Sequence, residues 1–238
     1  MAKGTIHIGT SGFYYEHWRG AFYPEDLPKS RFFDYFVQHF DTVEMNSTFY
    51  HLPKAKTIEH WAQKVPKDFL FSFKAYRAIT HYKKLQDSKE DLYLFLHLIK
   101  PIKPKIGMIL FQLPPSLHKD TKRLVNFLQI LPKGYRYALE FRHKSWYEEE
   151  VFELLKRFDV SFCIHDYIDT PKIITNQHIY VRFHGASGRY RGEYGMALKE
   201  WADFFKKHPN KEVFCYFNND FEAAAIKDAL LLRSLLEA

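Results

Sequence analysis

An α/β barrel of eight parallel strands, the (β/α)8 TIM-type architecture, is the fold this sequence predicts. Eight apolar runs of strand length recur along the chain, and helical patterns fall between nearly all of them. No glycine-rich dinucleotide fingerprint follows the first run, which weighs against an open doubly wound sheet, the alternative that shares the alternation. The chain has 238 residues, the size of one such barrel, and no linker, low-complexity tract or internal repeat divides it. A single domain over 1–238 is expected.

The runs, in order, are TIHIGT (5–10), DTVEMN (41–46), FLFSFKA (69–75) and KIGMILFQL (105–113), followed by RYALEFR (136–142), VSFCIHD (160–166), HIYVRFHG (178–185) and EVFCYFNND (212–220). Helices are expected near 30–39, 54–64, 88–99, 120–130, 148–157, 197–208 and 221–236. The last of these is built from good helix formers. KPIKPK at 100–105 and the Pro-Pro pair at 114–115 punctuate the alternation. One link is irregular. Only YIDTPKIITNQ joins strands six and seven, too short and too broken by Pro and Asn for a helix with its turns, so that helix is expected to be irregular or missing.

Hydrophobic residues at 46%, with 23 Phe and 16 Tyr, supply a sizeable core and exclude a disordered chain. No apolar run reaches the roughly 18 residues of a membrane helix, and MAKGTIHIGTSG enters a strand pattern with no apolar leader block. A cytoplasmic protein without membrane contact is expected. Cys163 and Cys215 lie inside apolar strands and read as reduced core thiols. The net charge of +7 favours anionic partners, though the lysines are scattered rather than blocked.

In such a barrel the functional end is where the strand C-termini meet. Polar residues gather there: Thr10 and Ser11, Glu44 and Asn46, Ser72 and Lys74, Gln112, Glu140 and Arg142, His165 and Asp166, Arg182 and His184, and Asn218, Asn219 and Asp220. Glu44 with Asn46, Glu140 with Arg142, and Arg182 with His184 are two apart, so each pair shares a face. A structural salt-bridge ring closing the mouth is the plain alternative to a working site. Four carboxylates (Glu44, Glu140, Asp166, Asp220) face three fixed cations (Lys74, Arg142, Arg182), a balance that argues against a divalent-metal site. No metal and no cofactor are therefore expected. A metal-assisted hydrolase using Glu44, Glu140, His165 and His184 is the alternative.

Lys74 stands where some barrel enzymes carry a Schiff-base lysine, but neighbouring acids are expected to raise its pKa. An anion clamp of Lys74, Arg142 and Arg182 is the expected role. Two loops add to the pattern. GTSGFYYEHWRGAFYP (9–24) is dense in aromatics, and packing by its own rings over the mouth is the commoner outcome than stacking on a ligand. HGASGRYRGEYGM (184–196) could hold phosphate or act as a lid.

Together GTSGFYYEHWRGAFYP, TVEMNSTFYHLP, FSFKAYRAITH, LFQLPPSL, LEFRHKSW, VRFHG and CYFNND, in that order over almost the whole chain, resemble the YecE-like family, domain of unknown function 72. Phe13 departs where Trp is frequent in that family, and Lys144 where Pro is frequent. The resemblance implies a TIM-type barrel of unsettled reaction. It marks Glu44, Asn46, Lys74, His81, Gln112, Glu140, Arg142, Arg182, His184, Asn218, Asn219 and Asp220 as site positions.

The expected function is an enzyme, an isomerase or hydrolase, acting on a small anionic, polyhydroxylated ligand such as a sugar phosphate or sugar acid. Glu44 or Glu140 would be acid or base and His184 the proton partner. Asn46, Gln112 and Asn218 would bind hydroxyls. Nucleic-acid binding or processing and a non-catalytic ligand-binding barrel are the alternatives. If Glu140 lines a solvated cleft, Glu140→Gln lowers stability only slightly; if it braces the barrel, the loss is large. The cleft is the expectation.

Overall fold

The computed structural model describes residues 4–238, so the first three residues of the expected domain lie outside the described residues. Eight parallel strands form the wall: β1 Ile6–Thr10, β2 Thr42–Met45, β3 Leu70–Lys74, β4 Ile106–Gln112, β5 Tyr137–Glu140, β6 Ser161–His165, β7 His178–Phe183 and β8 Glu212–Phe217. Their order runs β1-β8-β7-β6-β5-β4-β3-β2. The remaining gap, between β1 and β2, is joined by a single bridge, Ser11 to Glu44, with Gly12 N–H donating to the Glu44 carbonyl at 2.8 Å. Gly9 allows this seam, because a Cβ there would overlap the Thr42 carbonyl oxygen. The eight-stranded α/β barrel expected from the sequence is the fold observed.

The helices are α1 Phe32–Phe36, α2 Ser47–Tyr50, α3 Ala55–Gln63, α4 Lys89–Ile99, α5 Thr121–Gln129, α6 Glu149–Arg157, α7 Leu198–Lys206 and α8 Ala224–Glu237. Local chemistry sets their ends. Asp120 caps α5, its Oδ1 accepting from Arg123 N–H at 2.9 Å. In α6, Glu149 and Glu150 open the first turn while Lys156 and Arg157 close the last, complementing the helix dipole. Val151, Phe152 and Leu155 form its buried face against the barrel.

No helix joins β6 to β7, as the sequence predicts. Side chains replace it. Thr170 Oγ1 donates to the His165 carbonyl at 2.6 Å, and Thr175 Oγ1 donates to the Val160 carbonyl at 2.7 Å. Two short elements are not apparent in the sequence patterns: α2, and a π-helical turn at Ala78–Tyr82. Both follow strands that carry site residues.

Two apolar regions hold the fold. One lies between barrel and helices; the other fills the barrel interior with Met108, Leu110, Ala138, Cys163, Tyr180, Phe214 and Tyr216. Both cysteines are buried and unpaired. Below the interior layer, at the strand starts, Glu212 meets Arg136 at 2.8 Å, His7 at 3.3 Å and His178 at 3.4 Å. Above it lies the mouth. Among the described residues no helix is long and apolar enough to cross a membrane.

Candidate functional site

Strand register brings the mouth together. Glu44 sits beside Ser72, Lys74 beside Leu110, Gln112 beside Glu140, and Arg182 beside both His165 and Tyr216. Because partners in a parallel ladder point to the same side, inward residues near the strand ends form one ring above the apolar plug.

Arg182 is the centre of that ring. Its Nε and Nη2 donate to Glu44, at 2.9 Å to Oε2 and 2.7 Å to Oε1, and its Nη1 donates to Glu140 Oε2 at 2.8 Å. Glu44 also accepts from Ser11 Oγ and from the Tyr180 hydroxyl at 2.7 Å. Glu140 Oε1 accepts from Arg142 Nε. Glu44 and Glu140 have no exposed surface, and Arg182 is 1% exposed. Burial alone would raise both carboxyls. The adjacent guanidiniums outweigh it and hold Glu44 below the usual carboxylate range and Glu140 well below it. Both acids stay ionised, as a brace.

This placement corrects four expectations. Glu140 does not line a solvated cleft, and neither it nor Glu44 has a free oxygen with which to take a proton. Arg182 cannot clamp an outside anion, since the two carboxylates already occupy it. His184 is not a free proton partner either. Its Nδ1 is 3.0 Å from Asp166 Oδ1, and its Nε2 faces Arg142 Nη2 at 2.9 Å and Arg182 Nη1 at 3.3 Å. Donors on one side and an acceptor on the other fix the neutral ring that donates from Nδ1. Burial first, then the guanidiniums, lower its pKa to about 4 despite Asp166.

Lys74 behaves oppositely. Among the described residues its ammonium makes no ion pair and no hydrogen bond; its one close partner is the Phe49 ring, with Nζ 4.1 Å from the centroid. Glu140 and Glu44 do raise its pKa, as expected. Burial and the charge of Arg182 prevail, lowering it to about 7. Desolvation, the largest cause, is invisible in a count of neighbouring acids.

His81 lies on the π-helical turn, its ring 4.8 Å from the same Phe49 ring and its Nδ1 2.9 Å from Thr80 Oγ1. It is partly exposed, and burial together with Lys74 lowers its pKa to about 4. Arg142 lies under Tyr167, 3.8 Å from the ring centroid, and none of its described hydrogen bonds uses Nη1. Asn46 donates to Ser11 Oγ at 2.6 Å, while its buried Oδ1 has no hydrogen-bond partner. Gln112 donates to the Leu113 carbonyl at 2.9 Å, and Asn218 is partly exposed, its amide making no hydrogen bond among the described residues.

Two expected binding residues meet the scaffold, Asn219 through its side chain and Asp220 through its backbone carbonyl, the Asp220 carboxylate staying partly exposed. Asn219 is fully buried and donates to the Gly192 carbonyl and to Asp228, at 2.9 and 2.8 Å, tying the loop after β7 to α8. Asp220 lies under the first loop, where its carbonyl accepts from Trp18 Nε1 at 2.9 Å. That loop is packed by its own rings and by α1: Trp18 and Tyr23 are buried, Trp18 lies 4.6 Å from Tyr15, and Tyr23 stacks on Phe32 at 4.0 Å. Beside it a cavity of about 500 Å³, lined by Phe13, Tyr15, Met45, Asn46 and Trp61, opens next to the mouth.

The sequence reading missed Tyr180, although it shares the inward parity of Arg182 and His184. It also missed the tie from Asp166 to the Tyr194 hydroxyl that holds the loop after β7. Among the described residues no three His, Cys, Asp or Glu side chains gather as metal ligands.

Residues 7–238 match the family described as "Protein of unknown function DUF72". The chain is similar to the UPF0759 protein YunF of Bacillus subtilis (strain 168), with 27% identity over 274 residues covering 98% of this chain and 95% of that protein. It is 34% identical to the UPF0759 protein YecE of Escherichia coli (strain K12) over 119 residues, 48% of this chain and 44% of that one. Among solved structures, a DUF72 family protein from Thermotoga maritima superposes with a TM-score of 0.86 at 33% identity, covering 98% of this chain and all of the other. A second, from Enterococcus faecalis, gives 0.82 at 22% identity over 98% and 96%, a likeness of fold.

Proposed function

The chain belongs to the DUF72 family, and from that membership and the geometry of the mouth we propose an enzyme that binds a small anionic, polyhydroxylated ligand and works on it by acid–base chemistry. A sugar phosphate or sugar acid is the ligand class. The observation that carries the reading is the unpaired ammonium of Lys74. Among the described residues Glu44, Glu140, Arg142 and Arg182 pair with one another, so an arriving anion meets Lys74 as an uncompensated cation, with Arg142 Nη1 also outside those hydrogen bonds.

The open amides of Asn218, Gln112 and Asn46 Oδ1 supply hydroxyl partners. Lys74 and His81 replace Glu44, Glu140 and His184 as proton carriers, because they have atoms free to exchange a proton. Isomerisation and hydrolysis both fit this set.

Calorimetric titration with inorganic phosphate and with glucose 6-phosphate tests the reading. Binding weakened at least about tenfold by Lys74→Met, equivalent to about 1.4 kcal/mol, is the expected result. Absence of binding, or affinity indifferent to Lys74, overturns it. Binding without turnover of any sugar phosphate would favour the non-catalytic barrel.

A second reading, nucleic-acid binding, has its own observation: Arg189, Tyr190 and Arg191 are exposed together on the loop after β7 of a chain with net charge +7. Salt-dependent binding to single-stranded oligonucleotides, lost on replacing both arginines, would support it.

A further inference from the structure

We propose that Lys74 is a nucleophilic amine, and that the ligand carries an aldehyde or ketone which Lys74 captures as an imine. This rests on the proposed reading of the mouth as a small-anion site and adds the functional group on which the chemistry begins.

A buried lysine that serves stability is paired with a carboxylate or hydrogen-bonded to carbonyls. Lys74 has neither, though Glu44 lies on the adjacent strand and Glu140 two strands away, both near enough to act on its charge. Both acids are taken by Arg182, and Arg142 takes the remaining oxygen of Glu140. The array thus excludes Lys74 from ion pairing while placing it close to four charges.

The backbone of Lys74 is fixed from outside. Its carbonyl accepts from Thr48 Oγ1 at 2.8 Å, and α2, which carries Thr48, also sets Phe49 against the amine. A ring on one side removes water there without supplying a proton acceptor. The amine is at the C-terminal end of β3, the end at which barrel enzymes place their chemistry, and it is partly accessible. With its pKa lowered to about 7, about half of Lys74 is free amine at neutral pH, against well under a thousandth of an ordinary lysine.

The step balances without an oxidant or reductant. The Nζ lone pair attacks the carbonyl carbon, a C–N bond forms, and the carbonyl π pair moves to oxygen. The nitrogen gives up a proton and the oxygen takes one, a transfer assigned to His81, the partly exposed imidazole against the same Phe49 ring as Lys74. The carbinolamine hydroxyl then takes up the proton that the ammonium shed before the attack and leaves as water as C=N forms. Carbonyl plus ammonium becomes protonated imine plus water, with charge unchanged. The cation so formed stays beside ionised Glu44 and Glu140.

Dihydroxyacetone phosphate with cyanoborohydride is the probe, and peptide mass mapping is the readout. The expected result is one reduced adduct per chain at Lys74. It forms roughly 10²- to 10³-fold faster than at surface lysines at pH 7, with a rate that levels off by about pH 8. Lys74→Arg abolishes it. Adducts spread over surface lysines without enrichment at Lys74, or a Lys74 rate still climbing at pH 10, overturn the proposal.

Two further arms separate this inference from the reading beneath it. If inorganic phosphate binds and Lys74→Met weakens it, yet no adduct forms, the imine fails and the anion site stands. If unphosphorylated dihydroxyacetone labels Lys74 as fast as the phosphate ester, the amine stands and the anion site fails.

Discussion

Glu140→Gln probes the charge array most directly. The substitution removes the charge of a carboxylate with no exposed surface, whose Oε1 accepts from Arg142 Nε and whose Oε2 accepts from Arg182 Nη1 at 2.8 Å. Unit charges about 4 Å apart interact by roughly 4 kcal/mol at an effective dielectric of about 20, and Glu140 has two such partners. Desolvation of all three groups offsets much of that attraction. Deleting one partner of a buried pair costs about 3–5 kcal/mol, because the other charge stays behind. The new amide can still accept from one guanidinium, but its NH2 meets the other donor to donor, which places the loss toward the upper end. For a domain of this size 1 kcal/mol moves Tm by about 2–4 °C, so a fall of about 8–20 °C is expected at pH 7.

Scanning calorimetry measures that fall, and urea unfolding should show a lower midpoint at unchanged slope. Glu153→Gln is the control, since it removes an exposed pair with Lys156 and should leave Tm nearly unmoved. Removing Arg142 together with Glu140 should recover part of the loss, as coupled neighbours do. A Glu140→Gln protein as stable as the Glu153→Gln control would refute the brace and return Glu140 to a hydrated, working role.

Three other outcomes follow from the geometry. Lys74→Met should raise Tm at pH 6 by about 2–4 °C and have little effect at pH 10. The folded pKa of about 7 lies below the unfolded value, so the charged amine is destabilising below pH 7 and the penalty fades toward 10.5; a destabilised Lys74→Met protein at pH 6 would contradict this. His7 runs the other way: burial lowers its pKa, but Asp41 and Glu212 overcome that and raise it to about 9. Its stabilisation is full below about pH 6.5 and lost as pH rises through 9, so His7→Gln should lower Tm at pH 6 and converge on the unmodified protein near pH 10. Finally, elemental analysis of the purified protein should show no stoichiometric zinc, manganese or iron, because guanidiniums occupy the Glu44 and Glu140 oxygens; stoichiometric metal lost on changing His184 would reinstate metal-assisted hydrolysis.

The strand pattern was legible because each inward and outward face alternates at a period of two, and the same parity picked out Glu44, Glu140, Arg142, Arg182 and His184 at one end of the barrel. Pairing was not legible. Whether Arg182 faces solvent or lies between two acids depends on contacts across the barrel, and no local pattern encodes those distances. Roles expected of Glu44, Glu140 and His184 rested on the premise of open water, and the proposed function therefore assigns them to Lys74 and His81. The π-helical turn that presents His81 leaves no hydrophobic period in AITHY from which to read it. The polar network of His7, Arg136, His178 and Glu212 had the right parity, but it lies at strand starts, where chemistry was not sought.

The seam between β1 and β2 links these observations to motion. Every other junction of the barrel is a ladder of two or more paired residues, whereas this one has a single backbone bridge at Ser11 and Glu44. Side chains complete the stitch: Ser11 Oγ reaches Glu44, and Arg182 Nη2 approaches Ser11 Oγ at 3.3 Å. Parting the two strands therefore means first dismantling the ion array. Breathing of the barrel and the electrostatic state of its mouth become one equilibrium, and amide hydrogen exchange at residues 10–12 and 44–46 is the place to watch it. An anion that settles on Lys74 and steadies the array would slow exchange along a backbone it never touches.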